Sequence, residues 1–554
     1  MHLKYKKILP LLTLSVFGLA SSSAGHAAEP NAKAYDFIIV GSGSAGSVLA
    51  NKLSEDSKNS VLLIEAGPED TRLEAKVPAF WPRLVNTYDV DWAFYTEPEP
   101  GINNRMDDIP RGKMLGGSSS MNAMLYVRGA KESWDEWKLE GWSYKDMLPY
   151  FKGMENNERG ANDYHGVGGP LNVKDVEPNI TSTTFVKAAV AAGIPENKDY
   201  NGEKQEGSFL YQMNIKNGER HSGSVAFLNP VKSRKNLTIM TGAHVTKLVI
   251  EGNKCTGVEY LKDDKKQTVN TNKEVILSAG AIQSPQILML SGVGPAKHLG
   301  MYQIPVVKDL PGVGENMQDH PIACTVYKAK KPVLLGDDPE AFKKWDQNRS
   351  GPFASSGVEA GLFTKINQKD IMSDLQFHFI AGNPWTGFKG VMLVCPTLVR
   401  SHSRGTITLR GTDPLRRPVI KYDYFEKVEG EEPNHDLQTM IEGVKLARKI
   451  MSQDVFKDLV EQELLPGPNA KTDEQIVEFL KKVVSNVFHP AGSCKMGTDE
   501  MSVVDPQLKV RGIEGLRVID ASVMPTIING NTNAPTYAIA AKGADLILAD
   551  HKKK

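Results

Sequence analysis

The sequence predicts a mixed α/β and α+β protein of two lobes: a Rossmann-like dinucleotide-binding lobe, and a discontinuous second lobe built on an antiparallel sheet. Three observations carry this reading. The 554 residues exceed one modal domain several times over. A strand, glycine turn and helix follow one another at residues 35–53, and period-two strand patterns return beyond residue 400. Lys+Arg and Asp+Glu both total 66, so the net charge is zero and a nucleic-acid partner held by bulk charge is excluded. With 40% hydrophobic and 24% charged residues, the chain is not a disordered one.

At the N-terminus, Lys4, Lys6 and Lys7 precede an apolar run over 8–20 and a small-residue stretch over 21–28. This pattern reads as a secretory signal peptide, residues 1–27, too short to span a bilayer. The expectation is export across the inner membrane to the periplasm, with no integral membrane segment in the mature chain. Loss of the three lysines leaves that chain mildly acidic. Cys255, Cys324, Cys395 and Cys494 fit no zinc or CxxC spacing. No metal site is therefore expected, and the four read as free buried thiols, although an oxidising compartment permits pairing.

The β-branched and aromatic run at 35–40 feeds into Gly41-Ser-Gly43-Ser44-Ala-Gly46 and a helical stretch, 47–53. Gly41 permits the tight turn, Gly43 lets the backbone approach a pyrophosphate, and Gly46 lets helix and strand pack, while the helix N-terminus presents free N–H groups to the anion, with Ser44 of the turn a cofactor-binding candidate. A second buried strand, 60–64, ends in Glu65, placed to accept hydrogen bonds from ribose hydroxyls. The motif leaves NAD and FAD open. It occurs once, so a soluble nicotinamide partner passing electrons to a flavin is not indicated.

Five further motifs span the chain: GKMLGGSSSMNAMLYVRG at 112–129, SAGAIQSPQILMLSGVG at 278–294, HPAGSCKMG at 489–497, LRVIDAS at 516–522 and NGNTNAPTYA at 529–538. Together with the glycine turn they resemble the glucose-methanol-choline (GMC) oxidoreductase family over residues 34–550, closest to its choline dehydrogenase and alcohol dehydrogenase branch. The resemblance implies FAD and oxidation of a primary or secondary alcohol. It places Gly116, Gly117, Asn122 and Ala123 beside the flavin ring, Val245 at the adenine end through its backbone, and Asp520 and Ala521 at the ribityl and pyrophosphate portion. Physically, Gly116 and Gly117 clear room for a flat ring, and Asn122 offers a donor and an acceptor to a heterocycle edge. Met121 stands where some family oxidases carry a histidine bonded to the flavin, which implies non-covalent FAD. Ala123 lacks the hydroxyl that choline oxidases show there, which leans toward a dehydrogenase.

Alcohol oxidation needs a base for the hydroxyl proton, and imidazole suits that task near neutral pH. By its match to the C-terminal motif that base is His489, with Asn531 holding the substrate oxygen; His221, His244, His320, His378 and His402 read as structural or supporting. The segment 531–535, including Asn533, leads into an apolar helix over 536–549, with an asparagine cap and Pro535 in the first turn. Its positive end suits a site where a flavin gathers negative charge. The electron acceptor is expected to be a quinone, a cytochrome or another carrier. The family also holds flavin-bearing hydroxynitrile lyases, and a non-catalytic flavoprotein is a third reading.

The motifs are scattered, so the FAD lobe is assembled from 34–160, 205–315 and 484–550, with 161–204 and 316–483 as the substrate lobe. Residues 236–240 and 244–250 read as paired strands, 405–410 and 418–423 as exposed-face strands, and 435–451 as a helix. Phe377, Phe379, Trp385 and Phe388 are candidates to line a substrate pocket, though such aromatics usually pack in cores. The charged segment 330–351 reads as a solvated insertion or lid.

Overall fold

Two sheets of opposite character divide the chain. The computed structural model describes residues 34–332, 340–382, 390–426 and 434–552. The expected signal peptide, Trp385, Phe388 and part of the 330–351 segment lie outside the described residues. In chain order, the elements that build the sheets and border the cavity between them are β1 (Tyr35–Val40), α1 (Ser44–Leu53), β2 (Val61–Ile64), β3 (Gly207–Leu210), β4 (Leu237–Met240), β5 (His244–Glu251), β6 (Lys254–Lys262), β7 (Lys265–Leu277), α2 (Gly280–Leu290), β8 (Pro321–Ile322), β9 (Thr325–Ala329), β10 (Val358–Thr364), β11 (Leu375–Ile380), β12 (Val391–Leu398), α3 (His435–Met451), β13 (Val460–Leu465), β14 (Ser485–Asn486), β15 (Leu516–Val518) and α4 (Asn533–Lys552).

The first sheet has seven strands in the order β4-β2-β1-β7-β6-β5, with β15 on the other side of β7. β4, β2, β1, β7 and β15 run parallel, and β7, β6 and β5 continue as an antiparallel meander. Helices cover the parallel part, so Ile38, Ile39, Leu62, Leu63 and Ile276 are buried on both faces and the strands read as unbroken apolar runs. β4 and β5 do not pair with each other, contrary to the sequence expectation. β4 matches the full length of β2, and the intervening Gly242 and Ala243 donate to the carbonyls of Gly67 and Glu65. Each strand thus joins a different neighbour.

The second sheet has eight strands, β13-β9-β12-β11-β10-β3 with β8 bridging β12 and β14, and is antiparallel throughout. β3 falls within the 205–315 segment assigned to the FAD lobe, yet its register with β10 places it here. Alternation along β11 sorts its side chains. Leu375, Phe377 and Phe379 enter a core shared with Met440 and Val444 of α3, so the two phenylalanines are not pocket residues, and Gln376, His378 and Ile380 face the other way. The strand patterns at 405–410 and 418–423 shorten to Thr406–Thr408 and Val419–Lys421, paired with each other.

Two helix starts shift: α1 opens at Ser44 and α4 at Asn533, each before the first residue the apolar pattern marks. The segment expected as a solvated insertion contains a helix, Ala341–Asn348, whose Trp345 is buried with Phe80 and Phe353 and donates to the Gly218 carbonyl at 2.7 Å. Among the described residues, no helix is long and apolar enough to cross a membrane.

Two of the cysteines read as free are bonded: Cys324, just before β9, forms a disulfide with Cys395 of β12. The register pairs Thr325 with Val394, so the two cysteines next to that pair lie side by side, a proximity that sequence spacing does not reveal. Cys255 and Cys494 are free and buried. The bridge closes a 71-residue separation. Replacing both Cys324 and Cys395 with Ser is expected to lower unfolding stability by about 2–4 kcal/mol, measured by denaturant titration with and without reductant; equal midpoints for the oxidised parent and the variant would show that the bridge contributes nothing.

Candidate active site

The carboxyl ends of the parallel strands and one face of the antiparallel sheet enclose a cavity of about 660 Å³. Ligands in open α/β sheets sit at that end because loops and helix N-termini converge there. Of the residues singled out from sequence, Gly41, Gly43, Ser44, Glu65, Gly117, Asn122, Ala123, Val245, Asp520, Ala521, Asn533, His489 and Asn531 border this one cavity. Gly46 and Gly116 stand behind it.

The glycines have separate jobs. A Cβ on Gly46 would lie 1.9 Å from the Gly41 carbonyl oxygen, and one on Gly41, whose φ is +94°, would lie 2.6 Å from the Ser278 carbonyl oxygen. These two let strand, turn and helix touch. Gly43 differs: its φ is −62°, ordinary for any residue, and a Cβ there meets nothing within 4 Å because it points into open cavity. Gly117 presses on this turn, since its Cβ would meet the Gly43 Cα at 2.7 Å. Its bareness serves backbone packing as well as any flat ring. Ser44 Oγ donates to Asn533 Oδ1 at 2.6 Å, tying the turn to the first residue of α4.

Glu65 accepts from the Ser42 N–H (2.9 Å), the Ser42 hydroxyl (2.7 Å) and the Gly67 N–H (2.9 Å). Burial pushes its carboxyl above the usual range, against those hydrogen bonds. Asp520 accepts from the Gly280 N–H (2.9 Å), Ser284 Oγ (2.6 Å) and the Ser522 N–H (2.8 Å), joining the start of α2 to the loop after β15. The Asn122 carbonyl oxygen is taken by the Met124 N–H and by Arg220, so its NH2 is the group it offers the cavity. A bare turn at the start of α1, a carboxylate after β2 and an open Gly43 fit the pyrophosphate and ribose of a dinucleotide.

At the opposite wall, Gln376 Nε2 donates to Asn531 Oδ1 at 3.0 Å. That fixes the Asn531 amide, whose Nδ2 then donates to His489 Nε2 at 3.2 Å. With Nε2 accepting, the proton of neutral His489 is on Nδ1 and is donated to His320 Nδ1 at 3.1 Å. The network assigns these tautomers. Asp319 holds both histidine backbones, accepting from the His320 N–H at 2.7 Å and the His489 N–H at 2.9 Å, with the Tyr422 hydroxyl at 2.9 Å. Arg111 donates to the Phe488 carbonyl beside them at 2.7 Å.

Burial dominates the electrostatics. It pushes His489 well below the ordinary imidazole value, and His320, His378 and Arg111 add to the effect. Burial also takes His320 down to about 3 and His378 to about 4. Asp319 is driven up to about 7 by burial, despite the His489 and His320 N–H groups, Tyr422 and Arg111. His489 is therefore neutral at neutral pH and presents an acceptor at Nε2. This arrangement can take a proton from a hydroxyl held by Asn531.

Sequence reading missed Gln376, Asp319, Arg111 and Tyr422. The alternation on β11 signals Gln376, since the polar residues between the phenylalanines share the opposite face. Nothing local marks the other three. His320 and His378, read as supporting, do stand around His489. Away from the cavity, His402, His435 and Asp436 bring ligand-type atoms together, but Asp436 accepts from Ser401, Ser403 and the backbone of His402.

A dinucleotide cradle facing a half-buried imidazole and a buried amide across one cavity fits an oxidoreductase that works with a bound nucleotide cofactor. Comparison with known proteins makes the class specific. Residues 35–322 and 401–540 match the two family models described as GMC oxidoreductase. The chain is 42% identical over 533 residues to an oxygen-dependent choline dehydrogenase of Pectobacterium carotovorum subsp. carotovorum (strain PC1), covering 93% of this chain and 94% of that one. It is 41% identical to the protein of the same name from Escherichia coli (strain K12), covering 93% and 95%. Among solved structures, pyridoxine 4-oxidase from Mesorbium loti superposes with a TM-score of 0.84 at 30% identity over 92% of this chain and 98% of that one. Formate oxidase of Aspergillus oryzae RIB40 gives 0.87 at 28% identity, over 94% and 100%. The chain belongs to the GMC oxidoreductase family, and its cofactor is FAD.

Gly43→Ala keeps an allowed backbone and meets no protein atom, so it is expected to fold as the parent does while retaining at least tenfold less FAD, read as flavin absorbance per protein after gel filtration; full retention would show that the cofactor does not approach Gly43. Because His489 must be neutral to accept a proton and its pKa lies below 6.5, kcat/KM is expected to hold as pH falls through 6.5 and to drop only at lower pH. An acid limb centred above 6.5 would contradict the desolvated, neutral His489.

Proposed function

We propose that the protein is an exported, FAD-dependent dehydrogenase that oxidises a primary or secondary alcohol to the carbonyl, with His489 as the proton acceptor. The observation that carries this is the Gln376–Asn531–His489–His320 chain, which holds an amide NH2 and an unprotonated imidazole nitrogen 3.2 Å apart on the cavity wall. When bound, FAD would supply the hydride acceptor, and Gly41, Gly43, Ser44, Glu65, Gly117, Asn122, Val245, Asp520, Ala521 and Asn533, which line the cavity, would hold it. The N-terminal turn of α4, from Asn533, presents its positive end to the same cavity. Asn531 donates to the substrate oxygen and fixes its position. His489 Nε2 takes the hydroxyl proton, and Nδ1–H, engaged with His320, keeps the ring from turning.

FAD is held without a covalent bond in this reading, because Met121, packed with Met114, Leu84 and Val90, offers no nitrogen to attach. Export is supported by the leader pattern at 1–27 and by the Cys324–Cys395 bridge, which suits an oxidising compartment. The electron acceptor is a quinone, a cytochrome or another carrier; the choline dehydrogenase relatives are named oxygen-dependent, so turnover with a dye and with oxygen is to be compared directly.

The test is anaerobic mixing of the flavin-loaded protein with alcohols. Bleaching of the long-wavelength flavin absorbance is expected, with carbonyl product in equal amount, and His489→Ala is expected to lower kcat by about 10²–10⁴-fold with FAD retained. Oxidised absorbance that persists with every donor tried would sink the oxidoreductase reading.

A further inference from the structure

The cavity wall contributed by the antiparallel sheet carries more information than the family does. Register places Val358 opposite Ile380, Ile380 opposite Leu393, Leu393 opposite Val326 and Val326 opposite Leu465. Directly opposed residues share a face, so these five side chains form one continuous row across β10, β11, β12, β9 and β13, and all five line the cavity. Two residues along, the next row is His378 opposite Cys395, with its disulfide partner Cys324. Two further on, Gln376 lies opposite Thr397, and Thr397 opposite Ile322. Gln376 is the residue that orients Asn531. The sheet face therefore grades from polar at the catalytic pair to wholly aliphatic four residues away, roughly 13 Å along the strand at 3.3 Å per residue. The aliphatic row ends on Leu465, 44% exposed at the sheet edge.

The charged groups of the cavity lie elsewhere. Among the described residues, the carboxylates lining it are Glu65 and Asp520, both bonded into the glycine-rich turns of the cofactor side. The lining cation is Arg111, whose guanidinium sits beside the His489 loop. Among the described residues, four Trp or Phe side chains line the cavity: Trp81, which packs in the same cluster as Val358 and gives its indole N–H to the Ser356 carbonyl, Trp92 and Phe94, stacked on each other with the Lys113 ammonium over the Trp92 ring, and Phe488, next to His489 in sequence. A quaternary ammonium alcohol needs a carboxylate or an aromatic cage at its cationic end; the row offers alkyl groups only, and the guanidinium that lines the cavity, Arg111, stands at the Phe488 carbonyl beside His489.

We infer that the substrate is an uncharged alcohol with an extended apolar body several carbons long, its hydroxyl at His489 and Asn531 and its body along the Val358–Ile380–Leu393–Val326–Leu465 row, and that choline is a poor substrate. The inference rests on the alcohol-oxidising reading above and narrows it. It separates this chain in specificity from the choline dehydrogenases it is similar to, while leaving the shared chemistry in place.

The experiment measures kcat/KM of the flavin-loaded full-length protein with a dye acceptor, for choline and for straight-chain primary alcohols from ethanol to decan-1-ol. The expected result is a rise of about fourfold per methylene over several carbons, as burial of each CH2 predicts, and a value for hexan-1-ol at least 100-fold above choline. Choline as the preferred donor, or a flat chain-length profile, would overturn the substrate class while leaving the oxidoreductase reading intact. Absence of flavin bleaching with any donor would overturn both. Leu465→Glu, at the exposed end of the row where folding tolerates a charge, is expected to lower kcat/KM for decan-1-ol at least tenfold and to flatten the chain-length profile, with flavin absorbance retained. An unchanged decan-1-ol profile in that variant would overturn the placement of the substrate body.

Discussion

One buried carboxylate organises the His489 end of the cavity. Asp319 accepts the backbone N–H groups of His320 and His489 and the Tyr422 hydroxyl, so two segments separated by 170 residues are held on a single pair of oxygens. The contact between the two imidazoles follows from it. Were the backbones free to part, Nδ1 of His489 would lose its acceptor and the ring could rotate its bare nitrogen away from Asn531. The neutrality of the base has the same origin. Burial that makes Asp319 difficult to ionise also makes the surrounding histidines difficult to protonate, and Arg111 beside them disfavours any added positive charge. In the proposed mechanism the neutral imidazole would come from desolvation, with no partner carboxylate on the ring itself.

That origin explains what the sequence could and could not disclose. β1 runs over the residues its apolar pattern marks, α3 coincides with the 3.6-residue periodicity, and Gly46 meets the Gly41 carbonyl within the turn between β1 and α1. These features are local, and local chemistry is written in order along the chain. Asp319, Arg111 and Tyr422 act through backbone groups far away, and no spacing announces such a partner. The Cys324–Cys395 bridge is legible only once strand register is known, and β4 and β5 were misread because a three-residue gap suggests a hairpin when the intervening backbone is instead bound to Glu65 and Gly67. His489 and Asn531 were found through family motifs; their hydrogen bond is tertiary.

β11 holds a middle case. Its aromatic residues attracted attention as pocket candidates, yet large apolar side chains on a half-buried strand go to the core, and here that core lies under α3. The smaller and more polar set on the alternate positions was the functional one. Strand alternation therefore carried the information, and residue size pointed the wrong way.

The two walls of the cavity also differ in how freely they can change. On the cofactor side the constraint is steric and acts on the main chain: at Gly46 even a methyl group would overlap the Gly41 carbonyl, so a working chain keeps that turn whatever it oxidises. On the substrate side the groups that matter are side chains on a regular antiparallel face. Exchanging Ile380 or Leu393 for a charged or aromatic residue alters what the cavity accepts and leaves the ladder hydrogen bonds where they were, since those belong to the backbone. Similarity along the whole chain is consequently dominated by the wall that cannot vary. It establishes the cofactor and the class of reaction, whereas the substrate is decided by a handful of positions in one row of one sheet, and those positions have to be read individually.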